Sequence, residues 1–228
     1  MQKKQVGIRW LNHMGVRVNI GCGRTPTKGW RNYDNSWTLR LSKVAIVVWF
    51  ARKFGLLSKL QEEFIVFLQQ ADIKYADATN RIPEHSGSVD VLYTSHMLEH
   101  LDRMDAMKFL AEAKRVIRKG GILRIAVPNI RYYVDMYMKD GDADRFVEGT
   151  LLVAPKPRGL WRKLIHLLVS DRNHKWMYDG QSLCRLLVSA GFHNPVILQP
   201  GETTINEAGN IDLAERVPES VFVEVVRT

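Results

Sequence analysis

VRVNIGCGR, residues 16–24, is the stretch from which the fold is read. Val16, Val18 and Ile20 alternate with Arg17 and Asn19, and the run enters Gly21-Cys22-Gly23. That is the pattern of a short buried strand leading into a glycine turn. Glycines remove the Cβ and let backbone approach a ligand closely, with N–H groups free to face a carboxylate or phosphate. A lone Gly-x-Gly also suits any strand-to-turn junction, so its meaning rests on what surrounds it.

Outward from that stretch, composition bounds the answer. A length of 228 residues suits one domain able to bury a core. Apolar residues at 46% and charged residues at 25% are those of a globular chain and exclude a disordered one. Lys and Arg outnumber Asp and Glu by 33 to 24, for a formal charge of +9. That balance suits nucleic acid, acidic lipid or a phosphorylated substrate, or simply a solvated basic surface. Cys22 and Cys184 are too few for a disulfide framework or a Cys-rich metal site, and both are expected to be reduced. The basic start MQKKQVGIRW leads into no apolar core of signal-peptide length. The expected location is therefore cytosolic.

Strands and helices then alternate. Residues 1–15 read as a short helix or arm with Trp10, Leu11 and Met14 on its apolar side. RNYD, ending at Asp34, is a second strand so soon after the first that a parallel crossover must be cut down to a turn. Residues 37–70 form a helical region that Gly55 divides in two. Its first helix carries an uncharged run from Val44 to Ala51 between Arg40, Lys43, Arg52 and Lys53. The run is far short of the ~20 residues that cross a bilayer. Such a helix either lies on an anionic membrane surface or packs over a ligand cleft. IKYADATN is a third strand ending near Asp77, and SVDVLYTSH a fourth ending at Thr94 or Ser95. Met107, Leu110, Ala111, Ala113, Val116 and Ile117 recur at helical spacing, with Lys119-Gly120-Gly121 as the stop. ILRIAVPNI is a fifth strand. Residues 131–173 are less regular, with a basic apolar stretch at 157–169. A late helix capped by Asp179 or Ser182 ends at Gly191, followed by strand NPVILQP, a polar loop and closing strand VFVEVVR. This order predicts an open, mainly parallel sheet with helices on both faces.

From Val16 to Arg227 the order of pieces resembles a class I S-adenosylmethionine (SAM)-dependent methyltransferase. The resemblance implies an α/β, Rossmann-like fold: a mainly parallel seven-stranded sheet, an antiparallel last strand and a helical insertion after strand two. It implies one domain over 1–228, with 37–70 as a helical insertion or lid and 131–173 as a substrate-side insertion. It implies SAM as cofactor and S-adenosylhomocysteine as product. NIGCG, with Asn19, Gly21, Cys22 and Gly23, is similar to the loop under the methionine end of SAM. Asp34, with Asn35 beside it, stands where the family takes the ribose hydroxyls. Asp77-Ala78 resembles the pair that meets adenine, and Ser95 and His96 would pass the methionine moiety. The chain departs from the family at Asn19, where an acid is common, at Arg24-Thr25, which replace a third glycine, and in the truncated first crossover. The compact form GCGRTPTKGWRNYD is similar to small bacterial methyltransferases associated with surface-polysaccharide biosynthesis.

Methyl transfer from a sulfonium is an in-line displacement in which the protein supplies alignment and, for a hydroxyl acceptor, a base. His100 and His96 are the candidate catalytic bases, because imidazole titrates near neutrality. Glu99 would orient an imidazole. His174 and Tyr178 are candidate acceptor-binding residues. TSHM after strand four differs from the Asn/Asp-Pro-Pro-aromatic motif of base amino-methylases, and neither cysteine suits a Pro-Cys nucleophile. No zinc-ligand cluster stands out, so no metal is expected. The leading expectation is a sugar or lipid-linked glycan hydroxyl in envelope polysaccharide biosynthesis, with peripheral contact at the inner face of the cell membrane. The alternatives are an RNA methyltransferase, suggested by the charge, and a non-catalytic SAM-fold binding or membrane-associated scaffold protein.

Overall fold

The fold is that of a computed structural model, which describes residues 15–42, 44–55, 59–152 and 173–228. The expected arm at 1–15, apart from Gly15, and the basic apolar stretch at 157–169 lie outside the described residues. Five parallel strands form the first part of one sheet: β1 Val16–Ile20, β2 Arg31–Asp34, β3 Ile73–Tyr75, β4 Val89–Ser95 and β5 Ile117–Pro128. Two more follow, β6 Val196–Leu198 and β7 Ser220–Val226, and β7 runs antiparallel to both β5 and β6. The spatial order is β3-β2-β1-β4-β5-β7-β6. The seven-stranded, mainly parallel Rossmann-like sheet expected from the sequence is present.

Strand order reverses direction between β1 and β4, and ligands of open α/β sheets bind outside the carboxyl ends of strands at such a point. There Ile20 lies in register with Tyr33 on one side and Thr94 on the other. The glycine turn therefore opens at the switch point. Residues 21–30 join β1 to β2 without a helix, as their length requires.

Three helices fill the segment after β2: α1 Trp37–Ser42, α2 Ala45–Lys53 and α3 Lys59–Gln70. The sequence suggested two. Gly55 does mark one break, with φ +61, but a second falls before Val44, an extended residue that offers no side-chain cap. Leu39 of α1 and Leu68 of α3 pack with Ile73 and Cys22, which ties this segment to the glycine turn. Helix α4, Arg103–Val116, starts at Asp102, whose side chain accepts the Asp105 N–H. It buries Ala106, Phe109, Leu110, Ala113 and Val116, so the expected stripe is shifted and Met107 lies outside it. Its stop is also earlier than Lys119-Gly120-Gly121: Ile117 is already extended and begins β5. Gly121 serves packing instead, because a Cβ there would meet Ile117 Cγ2 at 2.6 Å and the Asp90 carbonyl at 2.9 Å.

Helix α5, Ile130–Asp140, is followed by α6, Ala143–Thr150, in a region whose sequence shows little regularity. Asp142 caps α6 through the Arg145 N–H, which is the local signal for it. Helix α7, Gly180–Ser189, begins with a reciprocal capping box between Asp179 and Ser182. Leu183, Leu186 and Leu187 of α7 join Phe109 and Leu110 of α4 on one face of the sheet. The opposite face is covered by loop 199–219, whose Ile205 and Ile211 pack on Trp30, Val91 and Tyr93. That loop reads as polar in sequence, yet it does the work of a helix. Arg17 donates to its Asn206 and Glu207 carbonyls, and Arg124 to those of Glu202 and Leu213.

Candidate active site

Two constellations sit at the carboxyl ends of the strands. The first is the glycine turn with Asp34 and Asp77. Gly21 has φ +69, and a Cβ there would lie 2.5 Å from Met97 Cγ, so both conformation and contact demand glycine. The turn is held more tightly than its sequence suggests. The N–H groups of Gly21 and Cys22 both donate to the Tyr33 carbonyl, at 2.8 and 3.2 Å, and that of Gly23 to Asp34 Oδ2, at 3.0 Å. These N–H groups are thus not free to face an anion, which corrects the sequence reading. With no crossover helix, β2 lies close enough to take them. Asn19 is buried, and its amide donates to the Thr25 carbonyl and Thr27 Oγ1, bracing the same loop. Cys22 is buried too, and burial followed by the charge of Asp34 pushes its thiol up to about 12, which makes it inert.

Asp34 accepts Gly23 N–H on Oδ2 and Ser36 N–H on Oδ1. A carboxylate has about four lone-pair sites, so two remain for hydroxyl donors. Asn35 beside it is exposed. Asp77 stands two residues beyond β3, with Oδ1 accepting from the Thr79 N–H and hydroxyl and Oδ2 outside that turn. Ala78 packs into the core. Thr94 Oγ1, buried at the end of β4, has no hydrogen-bond partner among the described residues. Ser95 pairs with Ala126, and its hydroxyl is buried. A nucleoside with an amino-acid tail carries the donors that these acceptors call for: hydroxyls for Asp34, an exocyclic amine for Asp77, and polar atoms for Thr94. The residues fit SAM.

The second constellation is built by the turn after β4. His96 adopts φ +49, unusual for a residue with a Cβ, and its N–H donates to the Ala126 carbonyl. Its Nε2 lies 3.0 Å from Ser220 Oγ. The kink feeds a 3₁₀ turn, Leu98–His100, that drives Glu99 fully into the interior. Three imidazoles surround this carboxylate: His96 Nδ1 at 3.4 Å, His100 Nε2 at 3.9 Å and His174 Nε2 at 3.9 Å from Oε1. The Glu99 carbonyl also accepts the N–H groups of Lys175 and Trp176, which folds segment 173–176 back over the turn. Burial pulls the His174 pKa down, against the pull of Glu99, so burial favours its neutral form. Tyr178 is buried in the main core beside Asn129, and burial raises its hydroxyl pKa. It has no exposed surface to offer an acceptor. His100 is about one-third exposed and is the open member of the group.

So His96, Glu99, His100 and His174 converge, while Asp34 and Asp77 gather with the glycine turn. Sequence reading placed Glu99 only as an orienting group. Its central position depends on His174, which is far away in the chain, and on the 3₁₀ turn. Thr94 is legible in the sequence only as a strand end, and Met97 carries no sequence signal of a role in the site. The adjacency of Glu99 and His100 was the visible signal.

Residues 51–125 match the family model described as a methyltransferase domain. No curated protein matches the chain. A SAM-dependent methyltransferase from Thermotoga maritima, described as a possible histamine N-methyltransferase, superposes with a TM-score of 0.50 at 15% identity, over 96% of this chain and 84% of that one. The PH0226 protein from Pyrococcus horikoshii gives a TM-score of 0.49 at 10% identity, over 96% and 84%. A SAM-dependent methyltransferase from Archaeoglobus fulgidus gives 0.46 at 15% identity, over 93% and 86%.

Proposed function

We propose that this chain, which has the class I fold and matches a methyltransferase domain over residues 51–125, uses SAM to methylate a hydroxyl oxygen of a sugar or lipid-linked glycan. The observation that carries the reading is the histidine cluster around Glu99 at the end of β4. A hydroxyl is a weak nucleophile until its proton is taken, whereas a neutral amine needs no such base. His100 is suited to take it. Its Nδ1 lies 3.0 Å from the Asn173 carbonyl, an atom that only accepts, so Nδ1 holds the proton and Nε2 is the basic nitrogen. His96, with Nε2 at Ser220 Oγ, is the second member able to relay a proton. Bound SAM supplies a methyl group on a sulfonium that leaves as a neutral thioether. Asp34, Asp77 and Thr94 would hold it, and the hydroxyl proton would end on His100.

Purified protein with methyl-labelled SAM, offered envelope glycans and total RNA separately, tests this. Label is expected in glycan; label entering RNA alone would overturn the reading, and SAM binding without transfer to either would make the protein a binding module. His100→Ala is expected to lower the transfer rate about 10²- to 10⁴-fold while leaving SAM affinity within a few-fold of the parent.

A second reading concerns location. Trp49, Phe50 and Phe54 are exposed on and just after α2, with Phe50 stacked on Phe54, and Lys53 lying over Trp49. Arg52 is exposed on the same helix. Aromatic rings among cations suit the interface of an anionic membrane, where a lipid-linked acceptor would be met. Among the described residues no helix is long and apolar enough to cross a membrane. Sedimentation with anionic vesicles is expected at low salt and is expected to weaken as salt rises. Recovery in the supernatant at low salt would reject it.

A further inference from the structure

Glu99 is fully buried and, among the described residues, neither of its oxygens makes a hydrogen bond. Leaving a carboxylate in that state costs several kcal/mol unless a cation compensates it. The neighbouring histidines supply no hydrogen bond in its place, because 3.9 Å exceeds hydrogen-bond reach. Their tautomers sharpen the point. His174 Nδ1 lies 2.8 Å from the Thr150 carbonyl and His100 Nδ1 lies 3.0 Å from the Asn173 carbonyl. Carbonyl oxygens only accept, so both Nδ1 atoms carry hydrogen. In the neutral rings both Nε2 lone pairs then face the Glu99 carboxylate. Three acceptors pointed at one another repel unless a proton or a metal ion lies between them, and 3.9 Å is too long for a proton to bridge.

We infer that Glu99, His100 and His174 form a binding site for a divalent transition-metal ion, with an open position for a substrate oxygen. One ligand atom from each of the three lies within 4.8 Å of the others. Ligands about 2.1 Å from a tetrahedral ion stand ~3.4 Å apart, so a modest inward shift of the side chains closes the site. Two imidazoles and one carboxylate favour zinc, manganese, iron or cobalt over calcium and magnesium, which prefer oxygen alone. Carbonyls that fix the Nδ1 hydrogens of metal-binding histidines are the usual outer support of such sites. His96 Nδ1, 3.4 Å from Oε1 and without a hydrogen bond, stands ready as an added ligand or as a proton acceptor. The sequence suggested no metal, because His174 is distant from the Glu99-His100 pair in the chain.

What the ion would do rests on the hydroxyl-transfer reading: an acceptor oxygen on its open position is acidified and aligned. With the ion bound, His100 serves as a ligand and the proton assigned to it above passes instead to His96, whose Nδ1 is unpartnered among the described residues. Whether the ion binds does not depend on that reading. The test is titration of chelator-treated protein with zinc and manganese by calorimetry, and with cobalt by visible absorption. One equivalent is expected to bind at micromolar concentration or tighter, with cobalt bands of a nitrogen- and oxygen-ligated site. His100→Ala and His174→Ala are each expected to weaken cobalt binding by at least ~10-fold. Retained SAM binding and an unchanged circular dichroism spectrum show that each variant is folded. His100 is partly exposed, so its variant stays informative if the His174 variant unfolds. No binding below about 1 mM, or binding indifferent to His100→Ala, overturns the inference. Metal binding without glycan methylation would sink the acceptor reading alone, and chelator-resistant methylation without a cobalt spectrum would sink the ion alone.

Discussion

Glu224→Ala is expected to destabilise the protein by about 3–5 kcal/mol, the cost of removing one partner from a buried ion pair. Arg124 and Glu224 face each other across β5 and β7 at 2.6 Å, with side chains 0% and 2% exposed. Glu224 also accepts from the Thr203 hydroxyl and from the N–H and hydroxyl of Thr204. Alanine leaves the Arg124 guanidinium charged and buried, with the Glu202 and Leu213 carbonyls and the Phe222 ring to receive it among the described residues. At roughly 2–4 °C per kcal/mol for a chain of this size, Tm should fall by about 6–20 °C. The loss has a pH signature. Burial alone would raise the Glu224 pKa, but the hydrogen bonds from Thr203, Thr204 and Arg124 outweigh it and hold the carboxyl below its ordinary 4.5. A carboxylate lowered on folding contributes stability that is complete above the unfolded value and is lost as pH falls through the folded one. Parent and variant should therefore differ most at neutral pH and converge in acid. Urea melts at pH 7 and at pH 3–4 measure both; a neutral-pH difference below about 1 kcal/mol would show that the pair is not needed.

That ion pair also marks where sequence reading stops. Glu224 and Arg124 each sit in an apolar run, Val221 to Val226 and Ile122 to Val127, and nothing local says that they meet. Their pairing follows only once β7 is known to insert between β5 and β6. The same holds for loop 199–219. Ile205 and Ile211 are spaced for neither strand nor helix, and their cover of Trp30 and Tyr93 is a tertiary matter. By contrast, the strands were legible because β1, β4, β5 and β7 are buried and write their burial as β-branched runs. The reduced first crossover was legible because chain length alone forbids a helix there. Asp34 and Asp77 were legible as acids near strand ends. Glu99 was half-legible. Its neighbour His100 is adjacent in sequence, but burial of the carboxylate depends on the kink at His96 and on the return of segment 173–176. The state of the turn N–H groups was not legible, because it is set by how closely β2 returns.

Asp34→Ala is expected to weaken SAM binding by about 10²- to 10⁴-fold. The carboxylate has two acceptor sites left after Gly23 and Ser36 are served, and two ribose hydroxyls would fill them. Hydrogen bonds to a charged acceptor contribute about 1.5–3 kcal/mol each, and each 1.4 kcal/mol is tenfold in affinity. Asp34→Asn should fall between parent and alanine, because the amide keeps one acceptor oxygen but loses the charge. Calorimetry with SAM measures the ladder, and an affinity for Asp34→Ala within tenfold of the parent would remove Asp34 from the cofactor site. A loss of affinity alone would not prove the ribose contact, since Asp34 also anchors the Gly23 N–H and alanine could loosen the whole turn. The two effects separate with a SAM analogue lacking the 2′- and 3′-hydroxyls. If Asp34 receives those hydroxyls, the analogue binds parent and variant within about threefold of each other, because the missing contact is missing in both. If Asp34 acts only through the turn, the variant loses as much affinity for the analogue as for SAM. The first outcome is expected, because Gly21 and Cys22 hold the turn to the Tyr33 carbonyl without help from Asp34.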